Sequence, residues 1–230
     1  MVEVIDRHAV QGLLAGQDAQ LIEVLPLGDY EWAHLPHAAH LPLTELDERS
    51  AGRFARGRPV IVYCHDWLCD LSSRAAHRLE RLGFQEVYDY AAGKMDWLSA
   101  DLPYQGTAVL ISQIVRHDPV ITRPGDQIPE IEPRVVADPA GVAIVVGPDD
   151  VILGFIGDQE LKGASPEATA EDIMLAAVPT IRASEEVDDV RRRMDRAGIT
   201  DVVVTMPDGR LVGIVSTSAI RSPEYDESES

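Results

Sequence analysis

Two cysteines, three tryptophans and three phenylalanines are all that this chain of 230 residues holds of those types. Two cysteines cannot build a disulfide framework, so both thiols are expected to be reduced, and a bond between them would be transient or regulatory. No run of about eighteen apolar residues occurs, which excludes a membrane-spanning helix. The opening "MVEVIDRHAV" has acid and histidine where a secretory signal needs a basic start and an apolar core, so a cytoplasmic location is expected. Basic residues are also scarce: 20 Lys and Arg face 39 Asp and Glu, for a net charge of -19. Such a field repels phosphate backbones, and neither nucleic acid nor an anionic membrane is expected as a partner. The final stretch, residues 223–230, is polar and acidic enough to read as a disordered tail.

What is present is a globular composition, with 45% hydrophobic residues, and room for one large domain or two of ordinary size. Residues 59–76 read "PVIVYCHDWLCDLSSRAA" and place both cysteines on one short turn. The residues alone leave three readings open: a reactive sulfur, a metal or redox pair, and two small apolar fillers. "RPVIVYC" is an unbroken apolar strand ending at Cys64, and "LSSRAAHRLERLGF" is an amphipathic helix with Ala75, Leu79 and Leu82 inward and Gly83 as its stop. Upstream, Asp6 opens a helix and "AQLIEVL" gives a buried strand. "EWAHLPHAAHLPL" then gives a turn and an extended piece, and "TELDERSAGRF" a helix. Downstream, "EVYDYAAGKMDWLSADLP" supplies a strand, a Gly93 turn and a short helix bearing Trp97. Alternating strands and helices argue for an α/β domain, with its site at the C-terminal end of the central strand. There a loop of amides leading into a helix would favour Cys64 as thiolate or persulfide.

The second half repeats itself. "IVRHDPVITRPGDQI" from residue 114 aligns with "IMLAAVPTIRASEEV" from 173, an offset of 173 − 114 = 59 residues without a gap. "VAIVVGPDDVILGFIGDQEL" at 142–161 then falls over "DVVVTMPDGRLVGIVSTSAI" at 201–220. Each unit reads as a short helix, a strand near Val120 or Thr180, a longer helix, a hairpin at Pro148 or Pro207, and a closing helix. Ser184 is expected to cap the second long helix, with Val187, Val190, Met194 and Ala197 on its apolar face. Pro129 and Pro133 are expected to break or shorten the first.

Residues 3 to 105 resemble a single rhodanese domain. The resemblance is carried by "LIEVL", "AHLPHAAHLPL", "VIVYC" with its following helix, "LERLGFQEVYDYAAG" and the closing Gly, Trp and Pro of "GKMDW...LP". It implies a parallel-sheet α/β domain over residues 1–106 and sulfurtransferase activity. Cys64 would carry sulfane sulfur as a persulfide within the loop of Cys64, His65, Asp66, Trp67, Leu68, Cys69 and Asp70, using the amides from His65 to Asp70 as donors. The partners implied are a sulfur donor, persulfide or thiosulfate, and a thiol acceptor. Asp66 and Asp70 replace the usual basic residues and glycine and oppose an anionic donor. Glu23 and Leu25 stand where the family has Asp and Arg. Cys69 could resolve the persulfide or pack inward. A zinc set of Cys64, His65, Cys69 and His77 lacks the usual spacing, and no metal is expected. His34 matches a position that braces a turn, whereas His37 and His40 are expected at the surface.

Beyond a linker around "YQGTAV", the chain resembles a cystathionine beta-synthase (CBS) domain pair, or Bateman module, α+β in class, with repeats at 108–165 and 166–222. This implies a homodimer through the pair and clefts for an adenosine ligand such as AMP, ATP or S-adenosylmethionine, although sulfur transfer itself requires no cofactor. Ser216, after Gly213 and an apolar pair, matches the family's phosphate contact. Ala219 replaces its ribose-binding Asp; in the first repeat Gly157 replaces the hydroxyl and Glu160 supplies a carboxylate. Arg123, Arg182 and Arg221 are candidate phosphate contacts. The alternative is a non-catalytic regulatory or scaffold protein that binds nucleotide or a protein partner.

Overall fold

A computed structural model describes residues 2–16, 19–176 and 178–220. The expected tail at 223–230 and Arg221 lie outside the described residues. The chain divides into two compact units, Met1–Ala108 and Val109–Ser230.

The first unit is an α/β layer structure on a wholly parallel five-stranded sheet. Its strands are β1 (Glu3–Val4), β2 (Gln20–Glu23), β3 (Ala39–His40), β4 (Val60–Tyr63) and β5 (Val87–Tyr90), in the order β1-β5-β4-β2-β3. Helices α1 (Arg7–Gly16), α2 (Leu27–Trp32), α3 (Glu48–Ala51), α4 (Leu71–Arg81) and α5 (Gly93–Ser99) cover it. β4 is central and covered on both faces, which is why its sequence is apolar without alternation. Its side chains still alternate in direction. Val60, Val62 and Cys64 join Ala75, Ala76 and Leu79 of α4 in one core, while Ile61 and Tyr63 join Val10 and Trp97 in the other. Each such Val or Leu contributes about 1.5–3 kcal/mol by leaving water.

Local chemistry sets the boundaries. Asp6 Oδ1 accepts the Ala9 amide at 2.8 Å and opens α1. Gly83, at φ +89°, ends α4. Residues 27–32 form α2, a helix the sequence reading did not anticipate. The helix expected over "TELDERSAGRF" is only the four residues of α3, because Asp47 and Ser50 form a capping box that starts it late.

The second unit holds two three-stranded sheets, β6 (Val120–Thr122), β7 (Val142–Val146), β8 (Ile152–Gly157) and β9 (Thr180–Ile181), β10 (Asp201–Thr205), β11 (Leu211–Ser216). Its helices are α6 (Ile128–Ala137), α7 (Asp158–Lys162), α8 (Ala170–Ile173), α9 (Val187–Ala197) and α10 (Thr217–Ile220). Pro129 and Pro133 do not break α6. Pro129 sits in the first turn, where amides lack helical acceptors, and Pro133 removes one interior bond from a helix whose Ile128, Ile131 and Val135 are buried. Ser184 does not cap α9: Glu186 occupies that position, Ser184 is buried two residues earlier, and Ala197 is exposed.

Isolated bridges relate the two repeats by a pseudo-twofold exchange. Leu110 pairs with Glu186 and Gln127 with Thr169, and Arg116 with Ile214 and Phe155 with Leu175. In both pairs of bridges each residue maps onto its counterpart at the 59-residue offset (169 − 110, 186 − 127, 214 − 155 and 175 − 116 all equal 59). The entry segment of each repeat therefore packs on the other repeat. Ile111, Ile114 and Val115 share a core with Ile181, Val190 and Met194, whereas Ile173 and Met174 share one with Ile131 and Ile156. The packing units are the repeats with their lead-ins swapped. Gly213 and Gly154 make this approach possible, since a Cβ on either would lie 2.3 Å from Arg116 O or 2.8 Å from Leu175 O. Among the described residues no helix is long and apolar enough to cross a membrane.

Candidate functional site

Cys64 follows β4 directly and α4 begins at Leu71, so the loop 64–70 spans the C-terminal edge of the central strand. The root of this loop is held by α5. The amides of Lys94 and Met95 donate to the carbonyls of Cys64 and His65, both at 3.0 Å. Gly93 makes that contact possible: it has φ +65°, and an added Cβ would stand 2.6 Å from both carbonyl oxygens.

Asp66 closes the rest of the loop. Its Oδ1 accepts the Leu68 amide at 2.9 Å, its Oδ2 meets the His65 ring at 3.1 Å, and its carbonyl accepts the Cys69 amide at 3.1 Å. Against a burial penalty, these hydrogen bonds hold the Asp66 carboxyl below the usual range. Two of the expected sulfur-facing amides, those of Leu68 and Cys69, are thereby occupied within the loop. Trp67 and Leu68 project into solvent, 69% and 95% exposed. Asp70 precedes α4, makes no side-chain cap, and pairs with Arg74 at 3.6 Å.

The sulfur itself is buried, with Cys64 at 0% exposure. Its thiol faces the Cys69 carbonyl oxygen at 3.2 Å and Ser72 Oγ at 3.4 Å. Burial, and next the hydrogen bond to that carbonyl, push the Cys64 thiol up to about 12, against a smaller pull downward by Ser72. The expectation of a thiolate in an amide cradle is thus corrected, because a carbonyl oxygen stabilises S–H and repels S⁻. Cys69 is half-buried and packs against the same core. Among the described residues no cluster of three or more His, Cys, Asp or Glu could hold a metal ion.

Ser72 was not singled out from sequence, and neither was Lys94. Lys94 is fully buried on the opposite face of the sheet and donates to Glu23 Oε1 at 2.8 Å, Asp29 O at 2.6 Å and Ala33 O at 2.9 Å, which uses all three ammonium hydrogens. Burial raises the Glu23 carboxyl and Lys94 opposes that rise. Glu23 therefore anchors α5, and α5 in turn anchors the root of the loop. Leu25 simply packs in the core beside α4. His34 braces its turn, with Nδ1 2.7 Å from Tyr30 O and its ring stacked on Tyr30. His37 is exposed, but His40 is half-buried with Nε2 2.9 Å from Leu25 O, contrary to a surface position.

In the second unit the three residues expected at a ligand are not brought together. Ser216 lines a cleft of about 300 Å3 with Ile114, Arg116, Thr200, Asp201 and Ser218. Its hydroxyl lies 2.6 Å from Ser218 Oγ and accepts the Ala219 amide at 3.2 Å. Arg182 lines a separate cleft of about 310 Å3, bonded to Thr205 Oγ1. Glu160 lines neither; its Oε2 accepts the Gly157 amide at 2.9 Å and caps α7. Arg116 is held bidentately by Asp138 at 2.8 and 2.9 Å, and Arg123 pairs with Asp150 at 3.0 Å.

A parallel α/β unit with a cysteine at the end of its central strand, followed by a twofold-repeated α+β unit, defines a two-part protein of rhodanese-like and CBS-like architecture. The rhodanese-like domain model matches residues 6–100 and the CBS domain model matches 170–222. The chain belongs to the rhodanese-like family, with a CBS domain following the rhodanese-like domain. It is similar to the thiosulfate sulfurtransferase GlpE of Coxiella burnetii, 32% identical over 85 residues, covering 37% of this chain and 77% of that one. It is also 28% identical over 81 residues to the putative sulfur carrier protein YrkF of Bacillus subtilis, covering 35% of this chain but 42% of that relative's length. Among solved structures, the CBS domain pair of protein MJ0100, in complex with 5-methylthioadenosine and S-adenosyl-L-methionine, covers 50% of this chain and 94% of its own, at 25% identity and a TM-score of 0.44.

Proposed function

We propose that the first unit is a cytoplasmic sulfurtransferase that carries sulfane sulfur as a persulfide on Cys64 and passes it to a thiol acceptor. One observation carries this reading: Cys64 sits at the C-terminal end of the central parallel strand, at the entry to α4, where open α/β sheets place their sites. The similarity to a thiosulfate sulfurtransferase supports it. The buried, protonated thiol is then the resting state. An anionic persulfide 3.2 Å from the Cys69 carbonyl is repelled, and rotation of that peptide replaces the carbonyl with the Asp70 amide. Asp66 and Asp70 disfavour thiosulfate, a dianion, and favour a hydropersulfide or protein-bound donor. Release of sulfide or thiocyanate from several donors, compared with Cys64→Ser, tests the reading; equal behaviour of the two proteins removes it.

The burial of Cys64 also favours a second reading, in which the loop is a binding surface presenting Trp67 and Leu68 and no sulfur is transferred. For the second unit the proposal is dimerisation and an adenosine-bearing ligand in the cleft at Ser216. Asp201 leaves that cleft negative because the charge of Arg116 is answered by Asp138. A cationic ligand such as S-adenosylmethionine therefore suits it better than ATP. Arg182 and Glu160, being elsewhere, take no part in that cleft.

A further inference from the structure

A further cleft, of about 390 Å3, opens in the first unit. It stands outside the carboxyl ends of β2 and β4: Val24 follows β2, and Leu71, Arg74 and Arg78 lie on α4, which follows β4. β2 and β4 are neighbours in the sheet, yet the chain leaves β2 toward β3 on one side and β4 toward β5 on the other. The crevice at such a reversal is where open α/β sheets take ligands. Leu71, Arg74 and Arg78 fall at i, i+3 and i+7 and share one stripe of α4. Across from them the Leu43 amide donates to the Val24 carbonyl at 3.0 Å. Val24, Leu43 and Leu71 also belong to the core that holds Cys64.

The charges of this cleft run against the composition of the chain. The clefts at Ser216 and Arg182 each contain an aspartate, Asp201 or Asp208. Here two arginines line the wall and no acid does, in a chain of 39 acidic and 20 basic residues. Arg78 is half-buried, and its Nη1 donates to the carbonyls of Leu43 and Leu46 at 3.0 and 2.9 Å; among the described residues no carboxylate answers its charge. Arg74 meets Asp70 at 3.6 Å with the two side chains 58% and 75% exposed, an ion pair that a ligand can displace at little cost. Two cations and the one anion beside them leave a single positive charge (2 − 1 = 1). A monoanion balances it and a dianion overshoots.

We propose that this cleft binds a small organic monoanion, an apolar chain ending in one carboxylate, with the carboxylate on Arg74 and Arg78 and the chain along Val24, Leu43 and Leu71. In the sulfurtransferase reading, on which this clause alone rests, that molecule is the thiol acceptor R–SH. Its sulfur, as thiolate, forms a bond to the outer sulfur of Cys64–S–SH, and the bond from Cys64 Sγ breaks with its electrons on Sγ, which takes up the proton the acceptor gave. The balance is Cys64–S–SH plus R–SH giving Cys64–SH plus R–S–SH, with no external oxidant or reductant.

The test is an NMR titration of the full chain with three probes: hexanoate, hexylammonium, which has the same chain and the opposite charge, and acetate, which has the charge and almost no chain. Hexanoate is expected to bind at least about tenfold more tightly than either, because the site uses both parts. Arg74→Glu places a carboxylate four residues before Arg78, answers that charge, and is expected to weaken hexanoate at least about tenfold. Since Arg74 is exposed, this variant is expected to keep the unfolding midpoint of wild type, so that the loss reports the site and not the fold. Hexylammonium binding as tightly as hexanoate, or hexanoate binding unmoved by Arg74→Glu, overturns the proposal. Transfer of sulfur from loaded Cys64 to 6-mercaptohexanoate is read separately. Hexanoate binding without transfer keeps the cleft and removes the sulfurtransferase reading, and transfer without hexanoate binding does the reverse.

Discussion

The loop at Cys64 and the turn at Ser216 are both junctions where a strand hands over to a helix, yet they have opposite surroundings. Cys64 lies beneath its own loop, braced from α5 and faced by a carbonyl, whereas Ser216 opens onto a cleft with hydroxyls and a carboxylate around it. A polar atom at a strand end is thus not a site by position alone. What differs is which backbone groups point at it, and whether anything has to move before a ligand can arrive.

Breaking the brace of the first junction should leave the second untouched. Lys94→Met strands Glu23 in the core and is expected to cost the first unit about 3–5 kcal/mol, with much of that recovered in Glu23→Gln/Lys94→Met. Denaturant unfolding of the first unit measures this, while ligand response in the second should persist. Gly93→Ala, which drives a Cβ onto the carbonyls of Cys64 and His65, is expected to cost about 3 kcal/mol. It should also speed alkylation of Cys64 by loosening the loop; slower alkylation would show that the brace does not keep the sulfur covered.

From the other side, S-adenosylmethionine at a hundred times its dissociation constant should stabilise the second unit by about 2.7 kcal/mol in a thermal shift. ATP is expected to give less, and Asp201→Asn should narrow the gap between them. The effect of pH is small for each pH unit and confined to alkali. The folded thiol is raised from 9.0 to about 12, so its contribution is fully present below pH 9.0 and lost as pH climbs toward about 12. Within that window wild type should lose about 1.4 kcal/mol per pH unit relative to Cys64→Ser. Parallel stability curves for the two proteins would mean that the thiol is not sealed as described.

The sequence made the broad architecture legible because period and spacing are local. The apolar run of β4, the amphipathic face of α4 and the 59-residue offset each announce an element or a repeat. The location of Cys64 followed from the same pattern, but its protonation state did not. The direction of the Cys69 carbonyl depends on how Asp66 closes the loop, and such a choice leaves no periodic trace. Lys94 read as one more polar residue, since nothing nearby in sequence shows that Glu23 waits for it across the sheet. The exchange of lead-in segments was hidden for a related reason: an offset between repeats says what is alike, not which repeat each segment packs against.

The most direct measurement is intact mass of the full chain after exposure to a hydropersulfide donor, with the modified peptide mapped. The expected result is one added sulfur atom on the peptide bearing Cys64, mapped to that residue, and none at that position in Cys64→Ser. No addition to wild type, or equal addition to both proteins, would contradict Cys64 as the sulfur carrier.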